Sequence, residues 1–403
     1  MNSALKNHAT YINNKVDTNG ISLSQYISTD NILQNKQGIE CATSLPIQGG
    51  KVTAFKKGDI LLANIRPYLK KIWYAQFDGG CSADVLAIRA NAETDSHFLF
   101  YALFRDDFFI HAMKGAKGTK MPRGDKAQIM EFKIPVFDLK TQQSIAAVLS
   151  ALDKKIALNK QINSRLEEMA KTLYDYWFVQ FDFPDANGKP YKSSGGEMVF
   201  DETLKRKIPK GWEVKSLGKI ENNIVTGKTP STQYSNFFNG DIPFITIGDI
   251  RNNTFIIKTE QNLSIEGANN QKNKYLPEGS LCVSCIATVG LIGFTTRQAQ
   301  TNQQINSIIF KHDYNKEFLY FYLKDYFLVG KAKTGNTFAN MNKGDFEKIL
   351  VLYPNLRLLQ KYSNKMVLVF NQINNLSKQN HHLTQLRDFL LPMLMNGQVS
   401  VAE

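Results

Sequence analysis

The chain has 403 residues and a net charge of +13, with 49 Lys+Arg against 36 Asp+Glu. Charged residues make up only 21% of it, so it reads as globular with a positive surplus, long enough for two or three domains, and not as a solvated basic tail. The surplus favours a polyanionic partner, while the polar N-terminus MNSALKNHAT, the lack of an apolar run near ~18 residues and the four cysteines make a cytoplasmic protein without membrane association the expectation.

Residues 1–138 read as a first α+β domain. Short β-type runs at Ile60–Leu62, Asp84–Arg89 and Phe132–Ile134 sit between turn residues, with a helical stretch from His97 to His111 among them. From Leu139 the apolar period becomes helical. Ile145, Val148, Leu152, Ile162, Leu166, Met169 and Leu173 fit heptad positions a and d, with Lys155 and Asn159 as polar seam positions. This predicts a long spacer helix over 139–178.

Residues 179–207, including FDFPDANGKPYKSSGGE, have the turn chemistry of a linker. A second domain spans 208–355, opening at Ile208-Pro209-Lys210-Gly211-Trp212. The final segment, 356–397, repeats the helical stripe through Met366, Val369, Ile373, Leu376, Leu383, Leu386, Leu390 and Met393, and Gly397 can close it. Two long striped helices most simply pack on each other, antiparallel if the halves are related by a two-fold.

The halves do echo one another. GAKGTKMPRGD at Gly115–Asp125 returns as GNTFANMNKGD at Gly335–Asp345, 220 positions on, with Gly, Met, Gly and Asp in register. Tyr26–Ile32 matches Phe244–Ile250, and Leu166, Met169 and Leu173 match Leu383, Leu386 and Leu390. A period this long is a duplicated domain-plus-helix unit and not a solenoid. The framework repeats while the intervening loops diverge, as two related surfaces reading two different things would.

Several segments resemble a known family. Tyr176–Pro184 (YWFVQFDFP), Ile208–Trp212, Thr226–Ser231 (TGKTPS), Ile242–Ile250 (IPFITIGDI), Ile286–Gly290 (IATVG) and Thr301–Asn306 (TNQQIN) are similar to stretches of the specificity subunits of type I restriction-modification systems. The resemblance implies two target-recognition domains in a pseudo-two-fold repeat, joined by two long antiparallel coiled-coil spacer helices. Each domain would read one half of a bipartite, asymmetric double-stranded DNA sequence. The helices would set the gap and dock two methyltransferase subunits, which in turn carry two restriction subunits. S-adenosylmethionine, ATP and Mg²⁺ are then expected on the partners and no cofactor on this chain.

The Gly-rich loops are the leading DNA-contact candidates. Lys117, Thr119, Lys120, Arg123 and Lys126 crowd the first, and Lys331, Lys333, Asn336, Thr337, Asn340, Asn342 and Lys343 the second. Lys and Arg neutralise phosphates, while Asn, Thr and Arg also read base edges. Arg66, Lys70 and Lys71 join the set, just after a strand, in the slot where the second domain has Ala287, Val289 and the neighbours of Gly290. Lys228 and Thr229 join it at the second domain's opening. Asp125 and Asp345 double as candidate helix N-caps. The helix-packing set is Ile145, Val148, Leu152, Ile162, Leu166, Met169 and Leu173 against Val369, Ile373, Leu376, Leu383, Leu386 and Leu390.

Other motifs point nowhere. Cys282-Val-Ser-Cys285 has no second ligand pair and reads as a buried strand. Gly227-Lys228-Thr229 imitates a P-loop end, but the required glycine is Asn222. His381-His382 sits on a polar helix face. No Asn-Pro-Pro-aromatic tetrapeptide, nucleotide fingerprint or nuclease carboxylate set occurs, so a self-contained methyltransferase or nuclease is disfavoured and a non-catalytic chain expected. A coiled-coil DNA-binding or scaffold protein outside restriction-modification is the rival.

Overall fold

The computed structural model describes residues 2–46, 49–334 and 340–401, with backbone alone for 331–334. The chain divides into two units, Met1–Ile156 with Leu383–Glu403, and Ala157–His382.

The first unit contains β1 (Asn2–Ala4), β2 (Ala9–Tyr11), β3 (Lys15–Asp17), β4 (Tyr26–Ile27), β5 (Lys51–Phe55), β6 (Ile60–Ala63), β7 (Ile72–Tyr74), β8 (Gly79–Cys81) and β9 (Val85–Ala90). Helices α1 (Ser96–Leu103), α2 (Asp106–Lys114) and α3 (Lys126–Met130), β10 (Lys133–Pro135) and the long helix α4 (Leu139–Tyr174) follow, α4 belonging to this unit only as far as Ile156. The sheets run β2-β9-β6-β7 and β3-β5-β8-β4. Strand β6 is buried on both faces. Ile60 and Leu62 pack with Phe98, Leu99 and Phe108, while Leu61 joins Phe55 and Trp73 on the other side, as period-two alternation requires. The single helix expected over His97–His111 is two. Asp106 and Asp107 start a new first turn, where carboxylates complement the helix dipole. Lys36 staples the break by donating to the Phe104 carbonyl (3.0 Å) and the Asp106 carboxylate (2.7 Å).

The second unit contains β11 (Met198–Asp201), β12 (Arg206–Pro209), β13 (Glu213–Ser216), α5 (Leu217–Ile220), β14 (Ile224–Thr226), β15 (Phe238–Ile245), α6 (Ile247–Ile250), β16 (Phe255–Ile256), β17 (Gln261–Leu263) and α7 (Ile265–Asn269). It continues with β18 (Leu281–Ser284), β19 (Ile292–Thr295), β20 (Gln300–Thr301), β21 (Ile305–Ile308), α8 (Lys316–Thr334), α9 (Lys343–Glu347), β22 (Leu350–Tyr353) and α10 (Leu356–Met395), whose residues from Leu383 belong to the first unit. Its main sheet, β14-β21-β18-β19-β16, repeats the first with one strand added. The parallel pair Tyr26↔Gly80 and Ile27↔Cys81 returns as Phe244↔Gln300 and Ile245↔Thr301. The ladder β1–β10 returns as β13–β22. Strand β1 therefore answers the strand that follows Gly211-Trp212.

Residues 179–207, expected as a linker, are folded. Phe181 and Phe183 are buried with Trp212, the Phe183 and Tyr191 rings stack at 4.6 Å, and β11 pairs with β12. Helix α4 closes through a wide turn in which Gln180 N–H donates to the Asp175 carbonyl (2.8 Å), and Phe181 then takes left-handed backbone (φ 68°). Helix α10 reaches its left-handed residue, Gly397, one position sooner when Tyr174 is matched to Leu391. The wide turn accommodates the extra residue.

Within each unit the two long helices lie antiparallel. Asp153 receives the Arg387 guanidinium (2.8 Å) in the first unit. In the second, Asn159 Nδ2 donates to Gln379 (3.4 Å) and Asn163 Nδ2 to Ser377 Oγ (3.1 Å). The seam on α4 corrects the heptad phase. Positions a are as expected (Ile145, Leu152, Asn159, Leu166, Leu173), but the inward d positions are Leu149, Ile156, Asn163 and Ala170. Val148 is half-buried beside this line, Ile162 and Met169 are 36% and 51% exposed, and Lys155 is exposed. On α10, Met366, Ile373, Leu376, Leu391 and Leu394 are buried, Val369, Leu383 and Leu390 are half-buried, and Leu386 faces out. The apolar residues expected one position early were read as seam because the true seam contains two asparagines and an alanine.

Candidate nucleic-acid interface

In the first unit a basic surface is built at one end of the main sheet. Strand β6 ends at Ala63, and Asn64-Ile65 lead to Arg66, held left-handed at φ 52°, ψ 62°. A single 3₁₀ turn, Pro67–Leu69, follows, and Lys70 is again left-handed. Beside this loop lies a hairpin. Lys117 and Arg123 exchange backbone hydrogen bonds (both 2.9 Å), Arg66 N–H donates to the Pro122 carbonyl (2.7 Å), and Gly124 N–H to the Asn64 carbonyl (3.0 Å). The tip residues Gly118–Met121 are exposed, as are Lys117 and Arg123. A Cβ on Gly124 would stand 2.8 Å from Asn64 Oδ1, so glycine lets the two loops touch. Asp125 caps α3 by accepting from Ala127 and Gln128 N–H, and these bonds hold its carboxyl below the usual range. Lys126 follows, exposed.

The geometry sorts the basic candidates. Lys117, Thr119, Lys120, Arg123 and Lys126 are all exposed. Arg123 touches Asp84 at 2.9 Å, an exposed pair that a phosphate can displace. Lys70 is paired with Asp106 (3.0 Å). Lys71 is turned inward against the Thr29 carbonyl, where burial pushes its ammonium below the ordinary value. This sets it apart from the exposed basic residues of the hairpin.

The second unit builds the same end from different side chains. After β18, Ala287 is left-handed (φ 62°) and exposed. Met341 N–H donates to the Cys285 carbonyl (2.9 Å), and Ala287 N–H to Asn340 Oδ1 (3.3 Å). Asn340 is thus a clamp on this loop. Asn342 is the N-cap of α9, its Oδ1 accepting from Asp345 N–H (2.9 Å). This corrects one expectation, since Asp345 is no cap, and it engages the Asn342 side-chain oxygen with backbone. The helix starts one turn earlier than its counterpart. Lys343 is exposed, 3.5 Å from Glu347. Lys228 is exposed on the loop after β14, at the same sheet end, and Thr229 donates to Gln303 (2.7 Å). Asn336 and Thr337 lie outside the described residues, as do the side chains of Lys331 and Lys333.

Two surface residues at this end carried no role in the sequence reading. Tyr68 is 50% exposed within the first basic loop, and Gln303 is exposed beside Thr229. An aromatic between basic residues, and the amide-rich TNQQIN run, were the available signals. Cys282 and Cys285 are buried as expected, their thiols pushed up to about 12 and about 11 by burial. Among the described residues no three His, Cys, Asp or Glu side chains gather as a metal site, and no helix is long and apolar enough to cross a membrane.

The family model of the type I restriction modification DNA specificity domain matches residues 4–168 and 209–385. The type I restriction enzyme HindI specificity subunit of Haemophilus influenzae is 33% identical over 96% of this chain and 97% of its own length. The MjaIX specificity subunit of Methanocaldococcus jannaschii is 29% identical over 76% and 70% respectively. A crystal structure of a type I restriction-modification S subunit from M. genitalium shares the fold, with a TM-score of 0.56 at 15% identity over 98% of this chain and 96% of that one. With two copies of the domain spanning most of its length, the chain belongs to the type I restriction-modification DNA specificity family.

Proposed function

We propose that each specificity domain reads one half of a bipartite, asymmetric double-stranded DNA sequence, and that the long helices dock two methyltransferase subunits, which bring two restriction subunits. DNA specificity within a restriction-modification system is the function that family membership gives the chain. On this reading the chain is non-catalytic and cytoplasmic, and S-adenosylmethionine, ATP and Mg²⁺ act on its partners.

The observation that supports it is the doubled interface. The same sheet end carries the same left-handed loop, clamped by the segment before the same Gly-Asp pair, with different side chains displayed. Lysines there neutralise phosphates and position the domain; the differing side chains supply the reading. Docking is supported by what the helix seam leaves out. Leu158, Ile162 and Met169 stay 48%, 36% and 51% exposed at helical spacing. Within the second unit a groove of about 600 Å³ is lined by Glu167, Lys171, Phe321, Lys324, Asp325 and Leu328. Apolar side chains exposed on a helix beside a groove rimmed by charged residues suit a partner site.

The test is to replace residues 208–355 with the matching domain of a relative and map methylated adenines across the host genome. One half of the split motif should change and the other persist. A change in both halves, or in neither, would refute one domain per half-site.

A further inference from the structure

We propose that the left-handed residue three positions past the central strand is the base-reading position of each domain: Arg66, selecting guanine, in the first, and Ala287 in the second. This rests on the half-site reading above and adds to it the residue and the base.

The two positions are equivalent. Strands β6 and β18 end at Ala63 and Ser284, paired with Val85 and Ile305, and three residues later the backbone is left-handed in both, φ 52° and φ 62°. Both N–H groups are clamped by the segment that precedes the Gly-Asp pair, Arg66 by the Pro122 carbonyl and Ala287 by Asn340 Oδ1. Neither Arg nor Ala is at ease there. Glycine is, and asparagine and aspartate are tolerated. Folding alone would be better served by glycine in both copies. Instead the backbone shape is kept and the side chain differs, as expected of a position whose side chain has work outside the protein.

The chemistry of Arg66 agrees. Its neighbours are engaged, Lys70 with Asp106 and Lys71 with the Thr29 carbonyl. Among the described residues the Arg66 guanidinium has no ion-pair or hydrogen-bond partner, and its Nε is buried and unpaired. A planar donor fork held by a constrained backbone, beside a tip of exposed Lys117, Thr119 and Lys120, fits the O6 and N7 acceptors of guanine in the major groove. The exposed methyl of Ala287 cannot make that contact; apolar contact with a thymine methyl is the readout open to it.

The experiment maps methylation in hosts carrying the full-length chain with its natural partners, as wild type, Arg66→Gly, Arg66→Gln and Ala287→Arg. Glycine keeps the loop, since φ 52° suits it, and removes the fork. Arg66→Gly should leave one half-site intact and relax one guanine position of the other, lowering its preference by roughly ten- to hundredfold. Its melting temperature should equal or exceed that of the wild type. Arg66→Gln should move that position from guanine toward adenine, and Ala287→Arg should introduce guanine at one position of the other half. An Arg66→Gly motif unchanged base for base would overturn the assignment. So would a uniform loss on all sequences, which marks a phosphate contact, or a lowered melting temperature, which marks a structural arginine. A wild-type chain that directs no split motif would sink the half-site reading itself, a failure visible before any variant is examined.

Discussion

The two specificity domains share a central antiparallel sheet, a parallel two-strand pair and an edge ladder, yet they part company wherever a loop meets solvent. The first breaks its main helix at Phe104–Arg105, caps α3 with a charged Asp125 and places Arg66 on its exposed loop. The second runs α8 unbroken over Lys316–Thr334, caps α9 with a neutral Asn342 and places Ala287 there. Even matched helix ends differ. Tyr174, Trp177 and Phe178 plug the second unit, where Leu391, Leu394 and Met395 plug the first. Identical positions thus carry different physical loads, so equivalent substitutions should not have equivalent effects.

The largest difference is expected at those plugs. Trp177→Ala should cost about 3–5 kcal/mol, because the indole is buried and packs on Tyr362 at 5.7 Å. Leu394→Ala should cost less, within about 2–5 kcal/mol, because the smaller side chain leaves a smaller cavity. Chemical unfolding of the two variants would rank them, and equal losses would mean that the aromatic plug adds nothing beyond the aliphatic one. Next come the glycines of the repeated Gly-Asp pair, where the effects should be opposite in sign. Gly124→Ala drives a Cβ to 2.8 Å from Asn64 Oδ1 and 3.1 Å from Ile129, costing about 1–3 kcal/mol. Gly344→Ala lies inside α9, meets only the exposed cap Asn342 at 3.3 Å, and should gain up to about 1 kcal/mol. A shared sign would show that the pair plays one role in both copies.

The caps separate by pH. Asn342→Ala should cost about 1 kcal/mol at every pH. The Asp125 carboxyl is held below its ordinary value by the N–H groups of Gln128 and Ala127. Its contribution is present above the unfolded carboxylate range and lost as pH falls through the depressed folded value, so Asp125→Ala should destabilise at neutral pH and match the wild type in acid. Asp345→Ala removes only a first-turn charge, about 0.3 kcal/mol. Thermal melts at neutral and acid pH would expose a mistaken cap. The smallest effect is on binding. Lys120→Ala should weaken specific and random duplexes alike and lower the salt slope by about one ion. An unchanged slope would remove the hairpin tip from the phosphate path.

The repeat, the strands β6, β9 and β10 and both long helices were legible because framework residues recur in register and apolar periods are strong there. The seam was misphased because Ile162 and Met169 are apolar without being inward, while Asn159, Asn163 and Ala170 are inward without being strongly apolar. Asparagine hid other local roles. Asn342 caps, Asn340 clamps and Asn163 bridges helices, and residue type distinguishes none of these from base reading. Lys71 shows the same limit for charge, since a basic residue after a strand can as readily bond an inner carbonyl.

The amide stretch of that seam has a consequence for how the helices open. Around Asn159 and Asn163 the packing is held by hydrogen bonds at 3.1–3.4 Å where hydrocarbon holds it on either side, and the Oδ1 atoms of both residues are buried without partners. Hydrophobic stabilisation is weakest there and desolvation cost highest. Helix α4 should therefore loosen from its middle turns before its ends, the reverse of ordinary fraying, so that backbone amides near 157–165 exchange with solvent through local excursions while those near 145–150 and 170–174 wait for larger unfolding.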